Sequence, residues 1–376
     1  MRIDGNIHSD LAIPPGEYLE EVIFELGMSK DELARRMNRP APKLSAIFKG
    51  EKSITPDTAL QLEKVVGVPA HIWTGLETEY RLTLARSQEE KDRERLSEES
   101  KLLTQYCYNE LVKLGYVKKK TKPIDKVIEL QRFFGVTSLY NIGNLSRYQI
   151  AFRCGRIRNS RRSPQSVAAW LRIGELEAQN MDCAPFNKHH LEGLLPTIRH
   201  MTKKASKHFI PELKTKLRNA GVVFVLCPHL PKTYAHGATF WLGKDKAVLM
   251  MTIRGSWADI FWFSLFHEVG HLLLHNRQSV FLEVDDHNPE CWKQEEEVDF
   301  FASDILIPQM EYERFVRRGS FFQKDMKRFA DKIGVHVSIV VGRLQHDHYL
   351  NRSWHNKLRT RYTWDPPPIQ VRLGPE

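Results

Sequence analysis

The sequence has little cysteine and no uninterrupted apolar segment long enough to cross a membrane. Its 376 residues include 5 cysteines, an odd number without the paired spacing of a zinc finger or a disulfide framework. Scattered cysteines are typical of a reducing compartment. The longest apolar run, Trp257–Leu274, is interrupted by an aspartate, a glutamate and two histidines, and the first residues show no apolar secretion signal. We therefore expect a cytoplasmic protein with no membrane partner.

Positive charge is also scarce where a nucleic-acid-binding domain would show it. The net charge is +10 overall, but it is −5 in residues 1–100, +15 in residues 101–220 and zero in residues 221–376. The basic middle includes an arginine cluster at residues 147–162, interleaved with aromatic residues. We interpret this cluster as a solvated surface, with a second phosphate contact or a dock for an acidic partner as alternatives.

The most informative motif is His-Glu-x-x-His at residues 267–271, inside the apolar run. Residues four apart on an α-helix share a face, so His267 and His271 point two imidazoles toward one metal ion. Glu268 lies beside the first of them, where a carboxylate takes a proton from a metal-bound water. The spacing indicates Zn²⁺ as the cofactor and hydrolysis as the chemistry. Two core histidines on a buried helix are the alternative.

A second helix is predicted to begin near Glu295 and to end at Pro308. A helical projection places an inward stripe of apolar residues on it, with Glu295 and Asp299 at the edge of the stripe, one turn apart. We predict Glu295 as the third zinc ligand and Asp299 as the carboxylate that orients a ligating histidine. Glu297 is the reserve ligand. A solvated acidic helix start is the alternative.

At these residues, and at the strand-like segments 221–226, 237–242 and 247–252, the chain resembles the ImmA/IrrE family of metallopeptidases over Gly221–Leu350. The second helix departs from the family's usual pattern by a valine, Val298, in place of alanine. The resemblance implies a gluzincin-like peptidase domain that acts on regulatory proteins. A peptide substrate is then expected to pair with an edge strand at Ala247–Thr252. His236 is a candidate oxyanion donor, although a core or surface role is favoured, and His275 is expected to be peripheral.

Short helices joined by a tight turn are predicted near the N-terminus. Ser29 and Glu32 form a capping-box pattern at the start of the first helix, and the next helix covers Ala41–Lys49 and ends at Gly50. This is helix-turn-helix architecture, in which Ala41–Lys49 enters the major groove of DNA. The DNA-binding residues expected from it are Arg35, Arg36, Lys43, Ser45, Lys49 and Lys52. A small helical interaction domain is the alternative.

From Ile7 to Arg86 the chain is similar to HigA-type antitoxins of the XRE helix-turn-helix class, through segments such as residues 15–21, 70–73 and 80–82. The resemblance implies binding to double-stranded operator DNA, commonly as a homodimer. It also makes a toxin protein a candidate partner.

The sequence therefore predicts a mainly α protein with an α+β C-terminal part. Residues 1–100 are expected to form a five-helix DNA-binding domain plus linker, residues 101–220 a basic helical middle domain, and residues 221–376 a metallopeptidase domain with a small sheet. The charged segment 87–101 is either a linker or a helical extension.

Two functions remain open at this point. In the first, a DNA-binding regulator of antitoxin type carries a zinc endopeptidase that cleaves a regulatory protein or itself. In the second, the protein is a repressor or toxin-neutralising antitoxin whose zinc domain is catalytically silent, with a structural or sensory role.

Overall fold

The computed structural model describes residues 11–91, 93–149, 163–275, 281–284 and 292–364. The chain divides into two compact units, Met1–Glu98 and Glu99–Pro375. Helices dominate both units and the second also contains a small sheet, which confirms the predicted fold class. Among the described helices, none combines the length and the apolar character that a membrane span requires.

The first unit contains the five predicted helices, followed by a sixth at its end. Their bounds are α1 Pro15–Glu25, α2 Lys30–Arg36, α3 Ala41–Phe48, α4 Pro56–Val66, α5 Ala70–Lys91 and α6 Arg93–Glu99. Since α5 and α6 cover almost all of residues 87–101, this segment is the charged helical extension and not an irregular linker.

The core of the first unit surrounds Trp73, whose side chain is fully buried. The Ser29 hydroxyl caps α2 by accepting a hydrogen bond from the Glu32 amide at 3.1 Å, as the sequence indicates. Gly16 allows α1 to lie directly against the backbone of α3, since a side chain there would collide with Phe48. Together these features fix α2 and α3 on the rest of the unit.

The second unit begins with five helices, which precede a four-stranded sheet. The helices are α7 Tyr108–Lys113, α8 Pro123–Phe134, α9 Pro164–Gln179, α10 Lys188–His200 and α11 Ser206–Asn219. Gly174 of α9 lies so close to Met250 that a larger residue would overlap its sulfur. The predicted three-part division stays a prediction, but α9 and α11 contact the same sheet as the C-terminal helices, and α10 and α11 share the core of those helices.

The sheet has the strand order β1–β3–β2–β4. The strands are β1 Val222–Leu226, β2 Ala235–Leu242, β3 Lys246–Met251 and β4 Phe281–Val284. β3 pairs in parallel with β1 and antiparallel with β2, and β4 pairs antiparallel with β2. Alternation along β3 sends Leu249 and Met251 into the C-terminal core, while Met250 faces α9.

The C-terminal helices pack with α10 and α11 on the face of the sheet opposite α9. They are α12 Ala258–Leu274, α13 Trp292–Leu306, α14 Gln309–Arg317, α15 Gln323–Ile333 and α16 Val337–His346. α12 is the central element, since it contacts the sheet, α13 and α16 and almost all its residues are buried. This explains why its sequence is apolar around its whole circumference.

A buried ion pair fastens residues 355–362 to the first turn of α12. Arg359 donates to both carboxylate oxygens of Asp259, at 3.0 and 2.6 Å, and both side chains are about nine-tenths buried. Gly342 on α16 leaves room for the carboxylate, because a Cβ there would overlap it. Both Arg359 and Arg361 stack on Trp257, but Arg361 is exposed.

Replacing Arg359 by methionine should destabilise the second unit, because it leaves the Asp259 carboxylate buried without its ionic partner. We expect Arg359→Met to lower the unfolding free energy by about 3–5 kcal/mol. Arg361→Met, which removes only an exposed stacking contact, should cost about 1 kcal/mol or less. Urea denaturation followed by tryptophan fluorescence measures both variants. Equal effects would contradict a special role for the ion pair.

Candidate functional site

The two motif histidines lie on consecutive turns of α12 and face the same side. Their Nε2 atoms are 3.1 Å apart, and both side chains are buried. The burial follows from the position of α12 between the sheet and α13. Two imidazole nitrogens therefore converge where a metal ion can accept both lone pairs.

Glu295 supplies the third converging atom from the first turns of α13. Its Oε2 lies 3.2 Å from Nε2 of His267 and 3.8 Å from Nε2 of His271. Within the described residues, His267, His271 and Glu295 are the group whose ligand atoms all lie within 4.8 Å of one another. Three ligands at about 2.1 Å from a tetrahedral zinc ion are about 3.4 Å apart, so the donor set fits Zn²⁺ in both chemistry and spacing.

Asp299, one turn after Glu295, contacts the other nitrogen of His267. The distance from Nδ1 of His267 to Oδ1 of Asp299 is 2.9 Å. A proton on Nδ1 that is donated to a carboxylate leaves the lone pair on Nε2, facing the ligand group. This is the arrangement that the sequence predicts for Asp299.

His271 is neutral at physiological pH. Burial, followed by the neighbouring imidazoles of His267 and His275, lowers the pKa of His271 to about 2. A neutral imidazole is the form that binds metal ions. The lone pair is thus available without the loss of a proton at pH 7.

Glu297 lies outside this ligand group. Its side chain is more than half exposed, and its Oε2 lies 3.4 Å from Nε2 of His275. Of the two carboxylates weighed as third ligand, Glu295 is the one that the structure brings to both motif histidines.

Glu268 follows His267 in the chain, and its side chain is fully buried against β2. A Cβ at Gly237 would lie 2.6 Å from Cγ and 2.7 Å from Oε1 of Glu268, so glycine makes the space that this carboxylate occupies. This role of Gly237 was not predicted from the sequence. A glycine inside a strand pattern is a signal of close approach, but its partner lies 31 positions further along the chain and is not readable from it.

The predicted edge strand is wrong. β3, which covers most of Ala247–Thr252, lies between β1 and β2, and its backbone pairs on both sides. Among the described strands, β4 is the edge of the sheet next to β2, and it contacts α12. Strand order depends on long-range pairing, which the local pattern at residues 247–252 does not contain. His236, the candidate oxyanion donor, instead contacts Arg254, with its Nε2 at 3.1 Å.

The arginine cluster of the middle segment is described in part. Arg147 pairs with Glu175 and donates to the Trp241 carbonyl, so its charge is used within the second unit. The remaining arginines of the cluster lie outside the described residues. They are Arg153, Arg156, Arg158, Arg161 and Arg162.

All six predicted DNA-binding side chains are exposed on the first unit, but they are not equivalent. Glu32 forms ion pairs with Arg35 at 2.7 Å and with Arg36 at 2.8 Å, which lower the pKa of Glu32. The two arginines therefore present less positive charge to a partner than the sequence suggests. The other four lie on α3 or the turn after it: Lys43, Ser45, Lys49 and Lys52.

The turn after α3 is held in place by α5. The buried Glu77 carboxylate accepts a hydrogen bond from the Ile54 amide at 3.0 Å, and it also pairs with Arg81. Arg81 in turn donates to the carbonyl of Gly50 at 3.0 Å. These bonds fix the backbone that carries Lys49 and Lys52. This role of Glu77 and Arg81 was not predicted from the sequence.

Comparisons with known proteins find a matching family model, curated relatives and solved structures. Residues 260–345 match the model of the IrrE N-terminal-like domain of peptidase family M78. The chain is 36% identical over 75 residues to Virulence-associated protein I of Dichelobacter nodosus, covering 20% of this chain and 69% of the relative. It is 31% identical over 71 residues to the uncharacterized HTH-type transcriptional regulator YddM of Escherichia coli K12, covering 19% and 76%.

Solved structures are similar over a comparable share of the chain. An addiction module antidote protein of a HigA family from Coxiella burnetii is 38% identical, covering 22% of this chain and 92% of that one, with a TM-score of 0.21. A Pseudomonas aeruginosa protein crystallised with its 18-bp operator DNA is 31% identical, covering 23% and 93%, with a TM-score of 0.22. The family-model match and the two sequence relatives confirm the two resemblances inferred from the sequence.

Replacing each of the two candidate carboxylate ligands by glutamine tests the ligand assignment. Glu295→Gln should weaken Zn²⁺ binding by more than about 100-fold, because it removes a metal ligand. Glu297→Gln should weaken it by about tenfold at most. Competition with a chromophoric chelator gives both dissociation constants. A larger loss for Glu297→Gln would reverse the assignment.

Proposed function

We propose that this chain is a DNA-binding regulator of antitoxin type with a zinc-dependent endopeptidase domain. Over about a fifth of its length, the chain belongs to the HTH-type transcriptional regulators. One observation carries the peptidase half of the proposal. The three ligand atoms of His267, His271 and Glu295 converge, and the next residue after His267, Glu268, has a fully buried carboxylate that packs against Gly237. This is the donor set of a hydrolytic zinc site with a general base next to it.

In this function His267, His271 and Glu295 would hold Zn²⁺. The bound ion would lower the pKa of a water ligand and polarise the carbonyl of a peptide. Glu268 takes the proton from the water that attacks the peptide carbon, and it returns that proton to the leaving nitrogen as the C–N bond breaks. Asp299 keeps the proton of His267 on Nδ1 throughout.

The sheet supplies a surface for an extended substrate. Among the described strands, β4 is the edge strand that pairs with β2. β2 carries Gly237, against which Glu268 packs. A peptide that adds to the β4 edge gains backbone hydrogen bonds with little dependence on its side chains. The substrate class we propose is therefore an extended segment of a regulatory protein or of this chain itself.

DNA recognition is assigned to α3. Lys43 and Ser45 lie near its N-terminal end for base contacts, and Lys49 and Lys52 lie at its other end for phosphates. Because residues 1–100 have a net charge of −5 and Glu32 pairs with both arginines of α2, few cations remain for the backbone of DNA. Binding to operator DNA as a homodimer would then depend mainly on sequence contacts, and its salt dependence would be shallow because few counterions are released.

The second candidate function is a repressor or antitoxin that binds a toxin protein while its zinc domain is silent. The relatives favour it in one respect. Both curated relatives align with about a fifth of the chain, and one of them is described as a transcriptional regulator. The regulatory role therefore does not depend on the peptidase.

The peptidase function is tested with Glu268→Gln. We expect this variant to keep its zinc while its rate of proteolysis falls by about 10²–10⁴-fold, because it loses the general base and no ligand. Glu296→Gln, the same change of charge at an exposed position of α13, should cleave like the wild type. Self-cleavage and cleavage of unfolded casein are followed by mass spectrometry. Zinc-loaded wild type and Glu268→Gln that behave alike would leave the silent domain as the better function.

The DNA-binding function is tested with Lys43→Ala and Lys49→Ala. Each variant should bind the promoter DNA of its own gene more weakly, and Lys49→Ala should reduce the salt dependence by about one counterion. Lys64→Ala on α4, also exposed, is the matched control. Fluorescence anisotropy across a salt series measures all three. Unchanged affinities for both α3 variants would show that α3 is not the recognition helix.

A further inference from the structure

A polar chain continues from the ligand group to the surface of α13. Nδ1 of His271 lies 3.0 Å from Nδ1 of His275, and Nε2 of His275 lies 3.4 Å from Oε2 of Glu297. The His271 and His275 side chains are 0% and 4% exposed, whereas that of Glu297 is 58% exposed. The chain therefore leads from a buried imidazole to a hydrated carboxylate.

The backbone holds His275 in this position. His275 ends α12 as its C-cap residue, in an extended conformation, and its amide donates to the carbonyl of His271 at 3.2 Å. The two side chains follow the helical i, i+4 spacing, so they lie one above the other. His275 is thus fixed relative to His271 both through the main chain and through the side chains.

The hydrogen-bonding roles follow from the chemistry of imidazole. A neutral ring has one N–H and one lone pair, so two Nδ1 atoms at 3.0 Å need one donor and one acceptor. A carboxylate accepts only, which places the proton of His275 on Nε2, toward Glu297. Nδ1 of His275 is then the acceptor, and Nδ1 of His271 is the donor. The lone pair of His271 is left on Nε2, toward His267 and Glu295.

We propose that His275 and Glu297 are positioning residues, which set the tautomer and the ring orientation of His271 for metal binding. The proposal rests on the metal site of the proposed function and adds a second route of support to it. His267 is oriented directly by Asp299, and His271 is oriented by Glu297 through His275. Both ligating imidazoles then depend on a carboxylate of α13.

His275 is not itself a ligand in this arrangement. It meets His271 at Nδ1, whereas the ligand group converges on Nε2. Glu297 likewise contacts His275 and not the two motif histidines. The sequence placed both residues differently, with His275 peripheral and Glu297 as a reserve ligand.

The test measures the Zn²⁺ affinity of the full-length protein by chelator competition. Three variants change the contacts between His271, His275 and Glu297. His275→Phe keeps a ring but removes the acceptor, and it should weaken binding by about 10–100-fold. His275→Asn keeps an acceptor near the Nδ1 position and should recover most of that loss. Glu297→Gln should weaken binding by about three- to tenfold, while the control Glu296→Gln should not.

A second readout separates orientation of the ligand from general stability. The absorption spectrum of the Co²⁺-loaded protein should change for His275→Phe, whereas the melting temperature of the metal-free protein should stay within about 2 °C of the wild type. If His275→Phe fails to fold, Glu297→Gln at the surface still decides the matter by its Zn²⁺ affinity. If His275→Phe and Glu297→Gln both bind Zn²⁺ with wild-type affinity, the positioning role of His275 and Glu297 is overturned, but the metal site is not. If the wild type has no measurable Zn²⁺ affinity, both the metal site and the positioning role of His275 and Glu297 are overturned.

Discussion

Gly270 allows α13 to approach α12 closely, because a Cβ at this position would lie 3.1 Å from the side chains of Val298 and Phe301. The candidate metal centre depends on this approach. His267 and His271 belong to one helix, but Glu295, Asp299 and Glu297 all come from the other. With α13 further away, the two imidazoles would lose their third ligand and the carboxylates that orient them.

Glycines of neighbouring elements also allow close packing against α12. Gly237 leaves room for the Glu268 carboxylate against β2, and Gly342 leaves room for Asp259 and its ion pair with Arg359. Two glycines on neighbouring elements therefore leave room beside α12, each where a polar side chain of α12 comes close. An apolar helix can carry functional groups in this way because its neighbours, rather than its own sequence, supply the space.

Local periodicity was sufficient to predict much of this site. The i, i+4 histidines, the inward stripe of α13 and the positions of Glu295 and Asp299 follow from helical geometry within single segments. Residues whose role depends on distant contacts were beyond it: the interior position of β3, the fit of Gly237 against Glu268, and the Asp259–Arg359 pair across 100 positions. The helix-turn-helix shows the same division, since its helices and the Ser29 cap were readable, but the hold of Glu77 on Ile54 was not.

The central claim is that two imidazoles and one carboxylate form a zinc site on α12 and α13. X-ray absorption spectroscopy of the zinc-loaded full chain tests it most directly. The account predicts one zinc ion per chain with nitrogen and oxygen neighbours at about 2.0–2.1 Å, including the multiple-scattering signal of two imidazoles. A sulfur neighbour at about 2.3 Å, or zinc without imidazole scattering, would contradict it.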